Sequence, residues 1–152
     1  MNIMMLLEMA GGVFPDRPAF TDCSSGQSLT YAQLFEAARY RAASVRASGA
    51  ERLVKLDVSN LGTPLSLFTS AWAGVPYVPL NYRLTDTEIE ALLKRVTPAY
   101  LVTQAERAVR LGGLDGVLPV SSAAFLADNL HPHPVAEEWS MDPDEIAVLL
   151  FT

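Results

Sequence analysis

Asp142-Pro143-Asp144-Glu145, followed by Ile146-Ala147-Val148-Leu149-Leu150-Phe151-Thr152, is the stretch on which the reading of the fold turns. A short apolar run entered from a polar, proline-containing turn reads as a buried strand. A buried parallel strand hands its chain to a loop that binds ligand at the strand's carboxyl end. Residues 146–152 are therefore expected inside a parallel sheet, beside other apolar strands, with Thr152 where a ligand loop begins.

Upstream of this run, strand and helix patterns alternate, which predicts an α/β fold with a mainly parallel sheet and flanking helices. Residues 76–80, 99–103 and 117–120 read as short apolar strands. Residues 53–59 alternate, with Val54, Leu56 and Val58 facing one way and Lys55 and Asp57 the other. That pattern means either a strand with one buried face or a Lys–Asp pair on the second face. Thr30-Tyr31-Ala32-Gln33 and Thr85-Asp86-Thr87-Glu88 match capping boxes. The first opens a helix burying Leu34, Phe35, Ala38, Ala42 and Val45 and stopped by Gly49; the second opens one carrying Ile89, Leu92, Leu93 and Val96. Thr63 is expected to cap a third helix with Pro64 at its first position and a stripe of Leu61, Leu65, Phe68 and Trp72. Residues 105–111 are a further short helical stretch.

Nearer the amino terminus, Ile3, Leu6, Leu7 and Ala10 predict a short amphipathic helix ending at Gly11-Gly12. Residues 19–21 and 27–29 flank a turn and predict a small hairpin. Residues 128–139, with His131-Pro132-His133-Pro134, read as an extended surface connection.

At 152 residues the chain suits one domain, burying roughly 70% of its unfolded surface. Half of it is hydrophobic, high for an independent domain and consistent with a face that packs against further chain. The net charge is −6 and only Lys55 and Lys94 are lysines, which disfavours nucleic acid and anionic membranes as partners. One cysteine, Cys23, excludes an intrachain disulfide. Neither a signal peptide nor a membrane span is expected, so the protein reads as cytoplasmic.

Little in the pattern carries chemistry. Gly112-Gly113-x-x-Gly116 follows a helix and precedes a strand, the reverse of a dinucleotide fingerprint, and reads as a loop. His131 and His133 lack a third metal ligand and read as a solvated loop. Cys23 has no basic neighbour and reads as a silent thiol. No Ser–His–Asp set or carboxylate pair follows from spacing, so no catalytic residue and no metal ligand is assigned.

Five motifs in order carry a resemblance over nearly the whole chain. They are Pro15-Asp16-Arg17-Pro18-Ala19; Leu29-Thr30-Tyr31-Ala32-Gln33-Leu34; residues 72–81, Trp-Ala-Gly-Val-Pro-Tyr-Val-Pro-Leu-Asn; Tyr82-Arg83-Leu84-Thr85 with Glu88; and residues 144–152. Together they resemble the N-terminal part of acyl-CoA synthetases, such as fatty-acid–CoA ligases, in the adenylate-forming superfamily. In that family a strand ending Tyr/Phe-Thr leads into a phosphate-binding loop rich in glycine and threonine. The sequence departs from the family at residues 49–60, where Lys55 and Asp57 replace apolar residues.

The resemblance implies that residues 1–152 are the N-terminal portion of an AMP-binding domain, ending at the start of the phosphate loop. It implies a parent enzyme that uses ATP and Mg²⁺ to make an acyl-adenylate from a carboxylic acid, probed first as a fatty acid. Coenzyme A then takes the acyl group. Thr152 is the one residue that falls in the nucleotide-contacting stretch. The other motifs read as architecture, and Arg83 as a helix-entry salt bridge rather than a ligand contact. The chain alone is expected to be inactive, to bind no cofactor tightly, and to self-associate as a homodimer through exposed apolar surface. Two other readings are a stand-alone interaction module descended from such an enzyme, and an unrelated flavodoxin-like binding domain.

Overall fold

The structure, a computed structural model, describes residues 2–127 and 138–152. Four parallel strands, β3 (Arg52–Leu56), β4 (Tyr77–Pro79), β5 (Ala99–Thr103) and β6 (Val117–Ser121), form a sheet in the order β4-β3-β5-β6. A separate antiparallel hairpin pairs β1 (Pro18–Thr21) with β2 (Ser28–Thr30). Both follow the sequence reading, except that β3 ends at Leu56, and Val58, expected on the face of Val54 and Leu56, is exposed beyond it.

The pleat sorts the apolar residues into two cores. Leu53, Tyr77, Tyr100 and Val102 face one side, where α1 (Met4–Val13), α2 (Tyr31–Ala47), α3 (Gly62–Ala73) and α6 (Ser122–Ala127) cover them. Val54, Leu56, Val78, Ala99 and Leu101 face the other, under α4 (Asp86–Leu93) and α5 (Ala105–Leu111). All five residues of β5 are buried, as a strand covered on both faces requires.

Both capping boxes form. Gln33 N donates to Thr30 Oγ1 at 3.2 Å and Thr30 N to Gln33 Oε1 at 2.9 Å. The Thr85–Glu88 pair repeats this at 3.3 and 2.9 Å, and the Thr85 hydrogen bonds hold the Glu88 carboxyl below its usual value. At α2, Leu34, Ala38, Ala42 and Val45 are buried as expected, while Phe35 is only partly so.

Three expectations are corrected and one element is added. Thr63 does not cap α3. Gly62 N donates to Asn60 Oδ1 at 2.9 Å and Asn60 N to Thr63 Oγ1 at 3.3 Å, so the helix starts earlier and Pro64 falls at its third position. Proline is still tolerated there because the first-turn N–H groups have no helical partner. Helix α1 does not stop at Gly11-Gly12 but runs to Val13, where Pro15 disfavours helical backbone at Phe14. Its buried residues are Met4 and Leu7, whereas Leu6 faces solvent. Helix α6 was not foreseen; Ser121 Oγ accepts from Ala124 N at 3.1 Å and opens it.

The third correction concerns residues 146–152. They run parallel to β4, as expected, but pair through a single bridge, Tyr77 with Val148. Tyr77 N donates to Ala147 O, and Leu149 N donates to Tyr77 O, both at 2.9 Å. The next donor on that edge is residue 79, a proline with no N–H, so the ladder ends. Leu149 and Phe151 pack on the α4–α5 side, whereas Ile146, Val148 and Leu150 are 57%, 41% and 66% exposed. The run is therefore a half-buried edge segment, not a buried strand.

Residues 128–137, including the expected extended connection with His131 and His133, lie outside the described residues. Among the described residues no helix is long and apolar enough to cross a membrane.

Candidate functional site

Sheet topology points first to the carboxyl ends of β3 and β5. The chain leaves β3 through α3 on one face and leaves β5 through α5 on the other, so the strand order reverses between them. Ligands of open α/β sheets bind at such a point. Here it is filled by protein. Lys55 and Asp57 side chains are 3% and 4% exposed, with Lys55 Nζ 3.5 Å from Asp57 Oδ2. Asp57 also accepts from Ser122 Oγ at 2.6 Å, Val58 N at 2.7 Å and Asn60 Nδ2 at 3.3 Å. Thr103 Oγ1 donates to Leu56 O at 2.6 Å beside it.

The electrostatics follow from this packing. Burial alone would raise Asp57, but the Ser122 hydrogen bond, the Lys55 charge, the Val58 N–H and Gln104 outweigh it and hold the carboxyl below its ordinary value. Burial pushes the Lys55 ammonium down against the pull of Asp57. Lys55 forms this ion pair but no hydrogen bond of good geometry. There is no spare volume: a Cβ on Gly62 would stand 2.9 Å from Asn60 Oδ1 and 3.6 Å from Lys55 Cε. The cluster ties β3, the turn into α3, and α6 together. It is a brace, the second of the two readings given for residues 53–59. Ser122 and Gln104 are its unforeseen members, because they arrive from distant chain.

Thr152, the one nucleotide-site residue read from sequence, is exposed at the end of the edge segment. Phe151 anchors that end, with the Arg95 guanidinium 4.8 Å over its ring. Arg83 lies over the Tyr82 ring at 5.5 Å, and the helix-entry ion pairs belong instead to Asp86, with Arg107 and Arg110 each at 3.5 Å. Gly116 has φ +73° in the turn before β6, consistent with an ordinary loop. Cys23 is exposed and unpaired in the hairpin turn. Among the described residues no group of three His, Cys, Asp or Glu side chains could hold a metal ion.

The four-stranded parallel sheet with helices on both faces is the architecture of the N-terminal part of adenylate-forming enzymes. Residues 7–152 match the AMP-binding enzyme family, and the chain belongs to that family. It is therefore not an unrelated flavodoxin-like domain.

Solved structures share the fold. A benzoate CoA ligase from Burkholderia xenovorans LB400 superposes with TM-score 0.80 at 20% identity, over 97% of this chain and 32% of its own. VinN, in complex with 3-methylaspartate, gives 0.83 at 22%, over 100% of this chain and 44% of its own. A Mycobacterium tuberculosis fatty acyl CoA synthetase gives 0.79 at 20%, over 99% and 32%. The chain thus spans less than half the length of these similar proteins.

Proposed function

We propose that this chain is the front scaffold of an ATP-dependent acid–thiol ligase acting on a fatty acid, with coenzyme A as acceptor. The observation that carries this reading is the family match across residues 7–152. The fatty acyl CoA synthetase among the similar folds supports the acyl class, while the benzoate ligase and VinN mark the alternatives. In the parent, ATP with Mg²⁺ would supply the leaving group that activates the carboxylate. This chain's own residues do something else: they build the sheet, brace its carboxyl end through Lys55, Asp57 and Ser122, and carry Thr152 to the start of the phosphate loop. The protein works in the cytoplasm, and by itself neither activates carboxylates nor holds a cofactor tightly. It self-associates through exposed apolar surface.

ATP–pyrophosphate exchange with a panel of fatty acids, benzoate and amino acids tests this directly. The 152-residue chain should stay at the buffer background with every acid. Exchange above background with any of them would show that it carries a complete site. The second reading, a stand-alone interaction module, predicts the same null exchange but a specific partner.

A further inference from the structure

The last turn of α3 leaves the carbonyls of Ala71, Trp72 and Ala73 without helical partners, because the Gly74 and Val75 N–H groups both turn back to Ser70 O. Two distant side chains take them up: Asn2, ahead of α1, and Arg46, in the last turn of α2. Arg46 Nη2 donates to Trp72 O at 2.7 Å and Arg46 Nε to Ala73 O at 3.3 Å, while Asn2 Nδ2 donates to Ala71 O at 2.9 Å. Two of these nitrogens also hold the chain that approaches the sheet edge. Arg46 Nη2 donates to Glu138 O at 3.1 Å, and Asn2 Nδ2 to Ser140 O at 3.0 Å. Between those contacts Trp139 packs edge-on against Trp72 and Phe35, with ring centroids 5.1 and 6.2 Å apart. From this clip one chain runs through Gly74 into Tyr77 of β4, and the other runs from Ser140 to Val148, the bridge partner of Tyr77.

We propose that Arg46 and Asn2 are positioning residues for the segment 138–152: they fix where it enters the sheet edge, and through it where Thr152 is presented. This rests on the reading of Thr152 as the start of the phosphate loop and names the residues that set its place. The segment needs such a hold. It is half-exposed and meets β4 through one bridge, so its own backbone pairing fixes its register weakly. Helix capping alone accounts for the contacts to Trp72 O and Ala73 O but not for those to Glu138 O and Ser140 O. Sharing one nitrogen between helix and segment, twice over, ties the entry point of the segment to the helix end that leads into β4.

Hydrogen exchange of the full chain tests this at Leu149, whose N–H donates to Tyr77 O, with the buried strand β5 reporting that each variant stays folded. Arg46→Met and Asn2→Ala should each speed exchange at Leu149 about fivefold or more, the effect of losing one hydrogen bond to the segment, with β5 still well protected. Arg46→Lys separates positioning from capping. Its ammonium keeps a cation at the end of α3 but, on a shorter side chain without the guanidinium fork, should not also reach Glu138 O. Leu149 should then exchange as fast as in Arg46→Met. Unchanged protection at Leu149 in Arg46→Met or Asn2→Ala, or full protection in Arg46→Lys, would overturn the proposal. So would a collapse of β5 protection in all three variants, which marks general unfolding. None of these rates depends on ATP or an acid, so the clip and the ligase reading stand or fall separately.

Discussion

Lys55 and Asp57 show how unequal the two ends of a buried ion pair are. Asp57 keeps Ser122, Val58 and Asn60 as donors if the lysine is lost, but Lys55 has only Asp57. Removing the carboxylate therefore strands a buried cation, which costs about 3 kcal/mol or more, while removing the lysine leaves a buried carboxylate that keeps its hydrogen-bond donors and costs less. Both single substitutions should lower the urea midpoint, Asp57→Asn by more than Lys55→Met. The pH dependence has a definite sign. Asp57 is lowered in the fold, so its stabilisation is present above the unfolded carboxylate value and is lost as pH falls through the folded one. Lys55 is also lowered, so the unfolded chain holds that proton longer and stability rises with pH through the folded lysine value. Urea melts of Lys55→Met across alkaline pH should lose that rise. A Lys55→Met curve parallel to the unmodified protein's would contradict the assignment.

At the scale of elements, what is local is legible and what depends on a distant partner is not. The two capping boxes, the largely apolar β5 and the hairpin are written in adjacent residues, and each forms where the pattern puts it. The start of α3 differs from the pattern because Asn60 takes up the Gly62 N–H while Thr63 Oγ1 accepts from Asn60 N, an exchange that spacing alone does not reveal. The edge segment was read as buried because apolarity reveals a preference for cover, not its presence. One local signal was missed there: Pro79 cannot donate to the segment beside it. Pro79→Ala should restore that N–H and let the bridge propagate, slowing hydrogen exchange at Phe151. Unchanged exchange at Phe151 would show that something other than the missing donor ends the ladder. Gly74 sits at φ +76° beside Glu145 Oε1, which a Cβ would approach to 3.1 Å. Gly74→Ala should therefore destabilise by about 1 kcal/mol in thermal or urea melts.

For the molecule as a whole, the fold class and the order of its motifs were readable, but the candidate site was not. The brace at the β3–β5 crossing assembles from residues 55, 57, 60, 104 and 122, and no pattern of spacing announces that. Conversely, the motifs that carry the family resemblance mostly build turns, caps and strand ends. In the proposed function, residues 144–152 lead into a phosphate-binding loop. Backbone N–H groups approach phosphate closely only where glycine leaves room, so a glycine-rich turn must follow such a strand. Reading the coding sequence immediately 3′ of the Thr152 codon tests this most directly. The expected result is a continuation Ser-Gly-Thr/Ser-Thr-Gly with Pro-Lys within about ten residues, in frame or after a small shift. Downstream sequence that encodes no such turn in any frame would contradict it and leave a stand-alone scaffold.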